Sequence, residues 1–214
     1  HQDLVVTDLL GNRVAVYLGL GDATFQDARL VPIRVASEQR SSEPRSVALA
    51  DMNGDGKTDI VTGNAGTDSV AIVRLSYTTG DGPRGMVVGD FNADGFPDAV
   101  TVHQGSRQVN VLAGRTGGKL TAGTSVRVGI DPVTVTAGDL NRDGKLDLLT
   151  TNASNTLSML LNNGAGGFSV WVDFPIGATP IGAVLADLNK DNRLDVITAD
   201  TATNQISILL SAPL

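Results

Sequence analysis

Four copies of a nine-residue acidic pattern carry the side chains of this chain that could do chemistry. The clearest copy, DLNRDGKLD, runs from Asp139 to Asp147 and has oxygen-bearing side chains at its first, third, fifth and ninth places. A hard cation such as Ca²⁺ takes six to eight oxygen ligands at about 2.3–2.6 Å, so a short loop that turns alternate side chains inward can supply them. We therefore predict one structural calcium site per copy, or about four Ca²⁺ ions.

The predicted ligand set is the same in every copy and includes the backbone carbonyl of the seventh place. Gly144, at the sixth place, allows the positive φ that such a tight turn often needs. In the last copy Asn192 replaces this glycine, and because asparagine tolerates positive φ we predict a weaker site there, not a lost one. The predicted ligands are Asp51, Asn53, Asp55, Lys57 and Asp59; Asp90, Asn92, Asp94, Phe96 and Asp98; Asp139, Asn141, Asp143, Lys145 and Asp147; and Asp187, Asn189, Asp191, Arg193 and Asp195.

Two other interpretations of these loops are less favourable. A single copy is equally typical of a surface turn rich in Asp, Asn and Gly, but four copies with the same ligand places favour a metal. An EF-hand needs a bidentate Glu at the twelfth place. That place holds Thr62, Thr101, Thr150 and Thr198.

The D-x-N-x-D-G-x-x-D loop followed by an apolar strand resembles the FG-GAP/VCBS repeats of β-propellers. Such repeats occur in integrin α-subunits and in many secreted bacterial proteins. The resemblance covers nearly the whole chain and implies that the loops bind calcium. It implies no particular ligand, because members of the family serve adhesion, sugar binding and scaffolding.

The apolar patterns around the loops predict strands. Small apolar strands precede each loop at 46–51, 86–90, 133–139 and 182–187. A continuously apolar second strand follows, typical of burial on both faces, and then an alternating third strand. More polar fourth strands are predicted at 29–35, 124–129 and 169–174. The predicted fold is all-β: a β-propeller-like array of about five blades, each with three to four antiparallel strands.

The repeats predict a single propeller domain over residues 1–214, with units at approximately 1–43, 44–82, 83–131, 132–179 and 180–214. The first unit lacks its inner strand and loop, and Asp3 aligns with the last Asp of the other loops. The second unit is short, and the fifth stops after its third strand. Closure as a small ring and membership of a larger propeller both stay open. Exposed strand edges would favour self-association.

Composition limits the partners and the location. The chain has no cysteine, which excludes disulfides and thiol redox chemistry, and its formal net charge of −7 disfavours nucleic acid. No apolar run reaches the ~18 residues of a membrane helix, so membrane insertion is not predicted. The start, HQDLVV, has no charged n-region, and we expect either that a signal peptide has been removed or that the start is an internal cut. Calcium loops of this kind suit extracellular fluid, so secretion is predicted.

No catalytic residue is predicted. Histidine is the usual general base, and the chain has two, His1 and His103. We interpret His103 as a solvated turn residue and predict that the chain is not an enzyme.

The predicted function is binding. Aromatic residues, which stack against sugars, make up 4% of the chain. This favours a protein-interaction or adhesion module over a carbohydrate-binding lectin, which stays an alternative together with a non-catalytic propeller part of a larger secreted enzyme.

Overall fold

The computed structural model describes residues 1–33, 41–72 and 75–212, apart from the side chains of residues 75, 76 and 170–172. The described residues form strands and turns without a helix, so none of them forms a helical membrane span. The strands are β1 Leu4–Asp8, β2 Arg13–Tyr17, β3 Arg29–Pro32, β4 Pro44–Ala50, β5 Asp59–Asn64, β6 Ser69–Ile72, β7 Leu75–Thr78, β8 Pro83–Gly89, β9 Asp98–His103, β10 Gln108–Arg115, β11 Lys119–Arg127, β12 Pro132–Gly138, β13 Asp147–Asn152, β14 Thr156–Asn162, β15 Phe168–Pro175, β16 Pro180–Ala186, β17 Asp195–Asp200 and β18 Gln205–Leu209.

These strands form five antiparallel sheets, which we number as blades 1 to 5 in chain order. Blade 1 is β1–β3, blade 2 is β4–β7, blade 3 is β8–β11, blade 4 is β12–β15 and blade 5 is β16–β18. The prediction of an all-β array with three or four antiparallel strands per blade is confirmed. The fourth strand of blade 2, Leu75–Thr78, has four residues, which agrees with the short second unit of the sequence.

The four predicted inner strands end one residue later than the strands of the structure, and the fourth strand of blade 3 differs more. The fourth strand of blade 3 was predicted at 124–129. In the structure this strand is longer and runs from Lys119 to Arg127. The cause is that β10 continues to Arg115, which confines the glycine turn to the residues before Lys119. In blade 1, the predicted residues 34–35 lie outside the described part of the chain.

The inner strands β4, β8, β12 and β16 lie side by side around the axis of the array. They are close enough that a Cβ added at Gly85 would lie 2.7 Å from the Cα of Thr134 on the next inner strand. A Cβ at Gly138 would lie 2.7 Å from the Cδ1 of Leu194. This crowding explains the small residues of the inner strands, because larger ones would push the blades apart.

The core lies between consecutive blades. Val70 of blade 2 packs in one cluster with Met86 and Ala99 of blade 3. Val109 of blade 3 packs with Val135 and Leu148 of blade 4. Both faces of a middle blade are thus covered by neighbours, and the second strands β9 and β13 are buried at every residue, as predicted.

The two end blades keep one apolar face uncovered. Ile206, the second residue of β18, is 68% exposed, whereas the residues at the same register in the other four blades are 0–1% exposed: Val14, Val70, Val109 and Leu157. On the opposite face of blade 1, Leu4, Val6 and Leu30 are 43–49% exposed. The prediction of burial on both faces is therefore wrong for β1 and only partly met by β17, because in the described residues each end blade has a neighbouring blade on one side.

Candidate calcium sites

Each predicted calcium loop connects the inner strand of a blade to its second strand. In blade 4, β12 ends at Gly138 and β13 begins at Asp147, so the loop starts directly after the inner strand and its ninth residue opens the next strand. Blades 2, 3 and 5 repeat this placement. The four loops therefore lie at equivalent ends of four neighbouring blades.

Hydrogen bonds within the loop bring its oxygen atoms together. In blade 4, Asp139 Oδ1 and Asn141 Oδ1 accept hydrogen bonds from the same amide, that of Asp143, at 3.1 and 2.9 Å. Asp139 Oδ2 accepts from the amide of Gly144 at 2.9 Å, and Asp143 Oδ1 accepts from the amide of Lys145 at 3.0 Å. The side-chain oxygens of the first and third places thus lie beside one another.

The other three loops have the same hydrogen bonds. The first-place carboxylate accepts from the sixth-place amide at 2.8–2.9 Å in the pairs Asp51–Gly56, Asp90–Gly95 and Asp187–Asn192. The fifth-place carboxylate accepts from the seventh-place amide at 2.9–3.0 Å in the pairs Asp55–Lys57, Asp94–Phe96 and Asp191–Arg193. One loop geometry is therefore specified by the repeated positions and not by the residues between them.

The sixth place needs the left-handed backbone that the sequence predicted. Gly144 has a φ of 83°, and Asn192 takes its place with a φ of 64°. The fourth place is also left-handed, which sequence reasoning missed. Its residues include Arg142, with a φ of 65°, and Ala93, with a φ of 58°. Their residue types give no signal for this conformation, because Arg and Ala rarely adopt it.

The ninth-place aspartate is a buried anchor between strands, a role that sequence reasoning also missed. Asp147 has no exposed surface, and its two oxygens accept hydrogen bonds from the amides of Asn162, at 2.8 Å, and Leu140, at 3.0 Å. It therefore ties the loop to the third strand of the blade. Burial raises the pKa of this carboxyl, because desolvation disfavours its charged form.

The same anchor recurs in blade 3, and its contact with the third strand region recurs in blade 1. Asp98 accepts from the amides of Gly114 and Phe91, and burial raises its pKa as well. In blade 1, Asp3 accepts from the amide of Gly19 at 2.9 Å, at the corresponding place of its hairpin. This contact supports the alignment of Asp3 with the final Asp of the complete loops.

The predicted ligands have suitable chemistry for a hard cation, but they do not form a ready-made cage. In the described part of the chain, no three side chains of the types His, Cys, Asp or Glu converge as a metal-holding group. Asp143 Oδ2 lies 2.9 Å from Lys145 Nζ, and Asp94 Oδ2 lies 3.2 Å from Arg115 Nη1. Binding a cation through these oxygens would therefore require the fifth-place carboxylate to turn from its basic partner toward the loop.

The ionisation of two exposed loop carboxylates suits a cation. The hydrogen bond from the Gly56 amide holds the pKa of Asp51 below its usual value. The hydrogen bond from Lys145 does the same for the pKa of Asp143. Both groups are therefore charged at neutral pH, which oxygen ligation of Ca²⁺ requires.

The prediction that His103 is a solvated turn residue is wrong. His103 is the last residue of β9 and has no exposed surface. Its Nε2 lies 2.8 Å from the hydroxyl of Thr101 and 3.2 Å from that of Thr79. Desolvation by burial lowers its pKa. The equivalent strand position in blade 4 holds another buried polar residue, Asn152.

Comparison with known protein families identifies the repeats. The family profile described as an FG-GAP-like repeat matches residues 1–62, 90–150 and 139–198, and that described as an FG-GAP repeat matches residues 44–87. Together these matches cover most of the chain. No curated protein matches it by sequence.

Several solved structures share the fold. A candidate 6-phosphogluconolactonase from Bacteroides uniformis ATCC 8492 is 17% identical with a TM-score of 0.66, over 95% of this chain and 64% of that one. The periplasmic gluconolactonase PpgL of Pseudomonas aeruginosa is 20% identical with a TM-score of 0.58, over 92% and 62%. The V. cholerae biofilm matrix protein Bap1 is 16% identical with a TM-score of 0.57, over 97% and 36%. The chain thus spans less than two thirds of each protein.

These structures correct one prediction. The chain was predicted not to be an enzyme, and this is contradicted by two similar structures that are named for lactonase activities. The argument failed because it considered a histidine base and repeated carboxylates alone, whereas the fold itself occurs in proteins named as enzymes. At these identities the likeness shows the fold.

Proposed function

The chain belongs to the FG-GAP repeat family, and from this premise we propose that it is an extracellular, calcium-stabilised β-propeller that binds a protein partner. The observation that carries the proposal is the repetition of one loop geometry on four blades. In each loop the first-place carboxylate and the third-place amide oxygen accept from one backbone amide, at 2.8–3.2 Å.

Calcium in these loops stabilises the blades. Each loop joins the end of the inner strand to the start of the second strand, so an ion bound in the loop fixes the angle between these two strands. An ion that binds the folded loop and not the unfolded chain adds its binding free energy to the stability of the fold. Four Ca²⁺ ions would also change the formal net charge from −7 to about +1, removing the repulsion between clustered aspartates.

The same loops support an extracellular location. Loops of this kind with few rigid ligands bind calcium in the affinity range of extracellular modules, about 10⁻⁴–10⁻³ M. Fluid outside cells holds the ion at such levels. We therefore place the protein there.

A protein partner is favoured by the surface chemistry. The chain has few aromatic side chains to stack on sugar rings, and propellers present extended surfaces made of turns from several blades. The resemblance in fold to a biofilm matrix protein is consistent with an adhesive role.

A glycan is the second candidate, and one groove favours it. A cavity of about 650 Å³ lies between blades 3 and 4 and is lined by hydroxyl and charged side chains. These are Ser106, Arg107, Arg127, Ser154, Thr156 and Asp173. A glycan array at millimolar calcium separates the two candidates, because consistent binding to one class of sugar would make the glycan the partner.

A second copy of the chain is also a proposed partner. The uncovered face of blade 5, with Ile206, and that of blade 1, with Leu4 and Val6, are the two halves of the interface that joins consecutive blades elsewhere in the chain. Blade 5 of one copy can therefore pack against blade 1 of another, head to tail.

Thermal unfolding tests the calcium role. The unfolding midpoint should rise by many degrees as free Ca²⁺ increases from chelated to millimolar levels, and Mg²⁺ at the same concentration should give a smaller rise, because it prefers a rigid octahedral site. A midpoint that is independent of calcium over this range would contradict the proposal.

A further inference from the structure

A second cavity lies on the axis of the array, at the end of the inner strands opposite the calcium loops. Its volume is about 520 Å³, and its walls come from all five blades. The lining residues are Thr7 and Leu9; Pro44, Arg45, Ser46 and Val47; Arg84, Gly85 and Met86; Val133 and Thr134; and Ile181. The calcium loops follow the far ends of these seven-residue strands, about 20 Å away at ~3.3 Å per residue.

Two arginines at equivalent positions dominate the charge of this axial cavity. Arg45 and Arg84 each follow the proline that begins an inner strand, and both are exposed at the cavity wall. Arg45 has one weak partner, Glu43, at 3.9 Å. Among the described residues, Arg84 has no carboxylate within 4.0 Å.

No aspartate or glutamate among the described residues lines the cavity, although the chain has 23 acidic residues against 16 basic ones. Two guanidinium groups that face one cavity repel each other unless an anion or water lies between them. The cavity is therefore a local positive site in an acidic protein, and such a site concentrates small anions.

The rest of the wall suits a ligand that carries hydroxyl groups. Thr7 and Thr134 add hydroxyl-bearing residues to the wall. Between these hydroxyls, Val47 and Met86 supply apolar surface for the body of a small molecule.

We infer that the axial cavity binds a small hydroxyl-bearing oxyanion, such as a sugar acid or a sugar phosphate, through Arg45 and Arg84. The guanidinium group presents two parallel N–H donors that match the oxygens of a carboxylate or a phosphate. The inference goes beyond the proposed function, because it assigns a ligand site that does not involve calcium. The site arises because β4 and β8 are neighbours around the axis, which brings Arg45 and Arg84 to one cavity.

The test is an NMR titration of the calcium-loaded chain at constant free calcium. The probes are D-galacturonate for the carboxylate, D-glucose 6-phosphate for the phosphate, and methyl galactoside as the neutral control. At least one anion should shift the backbone amides of Ser46, Met86 and Thr134. Methyl galactoside should bind at least tenfold more weakly. The stronger of the two anions identifies the group that the arginines recognise.

Variants decide whether the arginines are responsible. Arg84→Ala should weaken anion binding at least tenfold, and Arg84→Lys should recover part of the loss. Arg29→Ala removes an exposed arginine from the outer strand of blade 1 and should change nothing. The thermal midpoint of each variant in calcium checks folding independently. Equal binding of the neutral sugar, unchanged binding by Arg84→Ala, shifts confined to the calcium loops or no binding of either anion would overturn the inference.

Discussion

Replacement of Asp147 by Ala separates the buried anchor of a calcium loop from its metal-binding role. Asp147 is fully buried and accepts two backbone hydrogen bonds, whereas Asp143, in the same loop, is exposed and pairs with Lys145. Both are predicted calcium ligands. Without calcium, only the loss of Asp147 should matter, because only its removal leaves buried backbone amides without an acceptor.

The magnitude follows from these two hydrogen bonds. In Asp147→Ala, the amides of Asn162 and Leu140 lose their acceptor. Each unsatisfied buried donor costs about 1–3 kcal/mol, so the free energy of unfolding should fall by about 3 kcal/mol. For a domain of this size, that lowers the thermal midpoint by about 6–12 °C. Asp147→Asn retains one acceptor oxygen and should lose about half as much.

The assay is thermal and urea unfolding of Asp147→Ala, Asp147→Asn and Asp143→Ala, each in chelator and in millimolar calcium. In chelator, Asp143→Ala should leave the midpoint nearly unchanged. In calcium, it should lose much of the increase that the ion gives to the wild type. The reasoning is refuted if Asp147→Ala matches the wild type in chelator, or if both alanine variants lose the same stability there.

Three further predictions concern the backbone, the buried histidine and the end blades. Gly144→Ala should lower the free energy of unfolding by about 1–2 kcal/mol, because its φ of 83° is unfavourable for alanine although nothing lies near the added Cβ. Gly105→Ala is the control in the same unfolding measurement, because this site is equally open but has no positive φ. Equal losses of stability in the two variants would refute the explanation. Because burial lowers the pKa of His103 below 6.5, stability present above that pH should be lost as the pH falls below it. His103→Asn should therefore flatten the pH dependence of urea unfolding below pH 6.5, and an unchanged slope would contradict this. Sedimentation velocity should show concentration-dependent self-association that Ile206→Asp abolishes. Leu10→Asp, which changes a turn residue that is 94% exposed, should leave the self-association intact. A wild type that is monomeric at all concentrations would argue against head-to-tail pairing.

The blades could be predicted from the sequence because the same hydrophobic pattern recurs from one repeat to the next. Continuous apolar runs became β9 and β13, buried between neighbouring blades. The same pattern misled at β1, since the sequence of a strand does not state whether a neighbouring blade covers it. The burial of His103 was missed for a related reason: a polar residue at a strand end looks solvated until the strand is placed between two sheets.

The loops were predictable in position and backbone but not in all their contacts. Gly144 signalled the positive φ at the sixth place, whereas Arg142 gave no sign of the same conformation at the fourth. The spacing identified Asp147 as a ligand but not as an anchor to Asn162, because that amide lies on the third strand. Contacts between strands depend on register, which a local motif does not contain.

Native mass spectrometry of the chain, prepared in calcium and again after chelation, tests the central claim most directly. Four oxygen-rich loops should bind four calcium ions that chelation removes, and Asp143→Ala should bind three. A mass equal to that of the bare chain in millimolar calcium would contradict the account, because the loops would then be hydrogen-bonded turns without a metal.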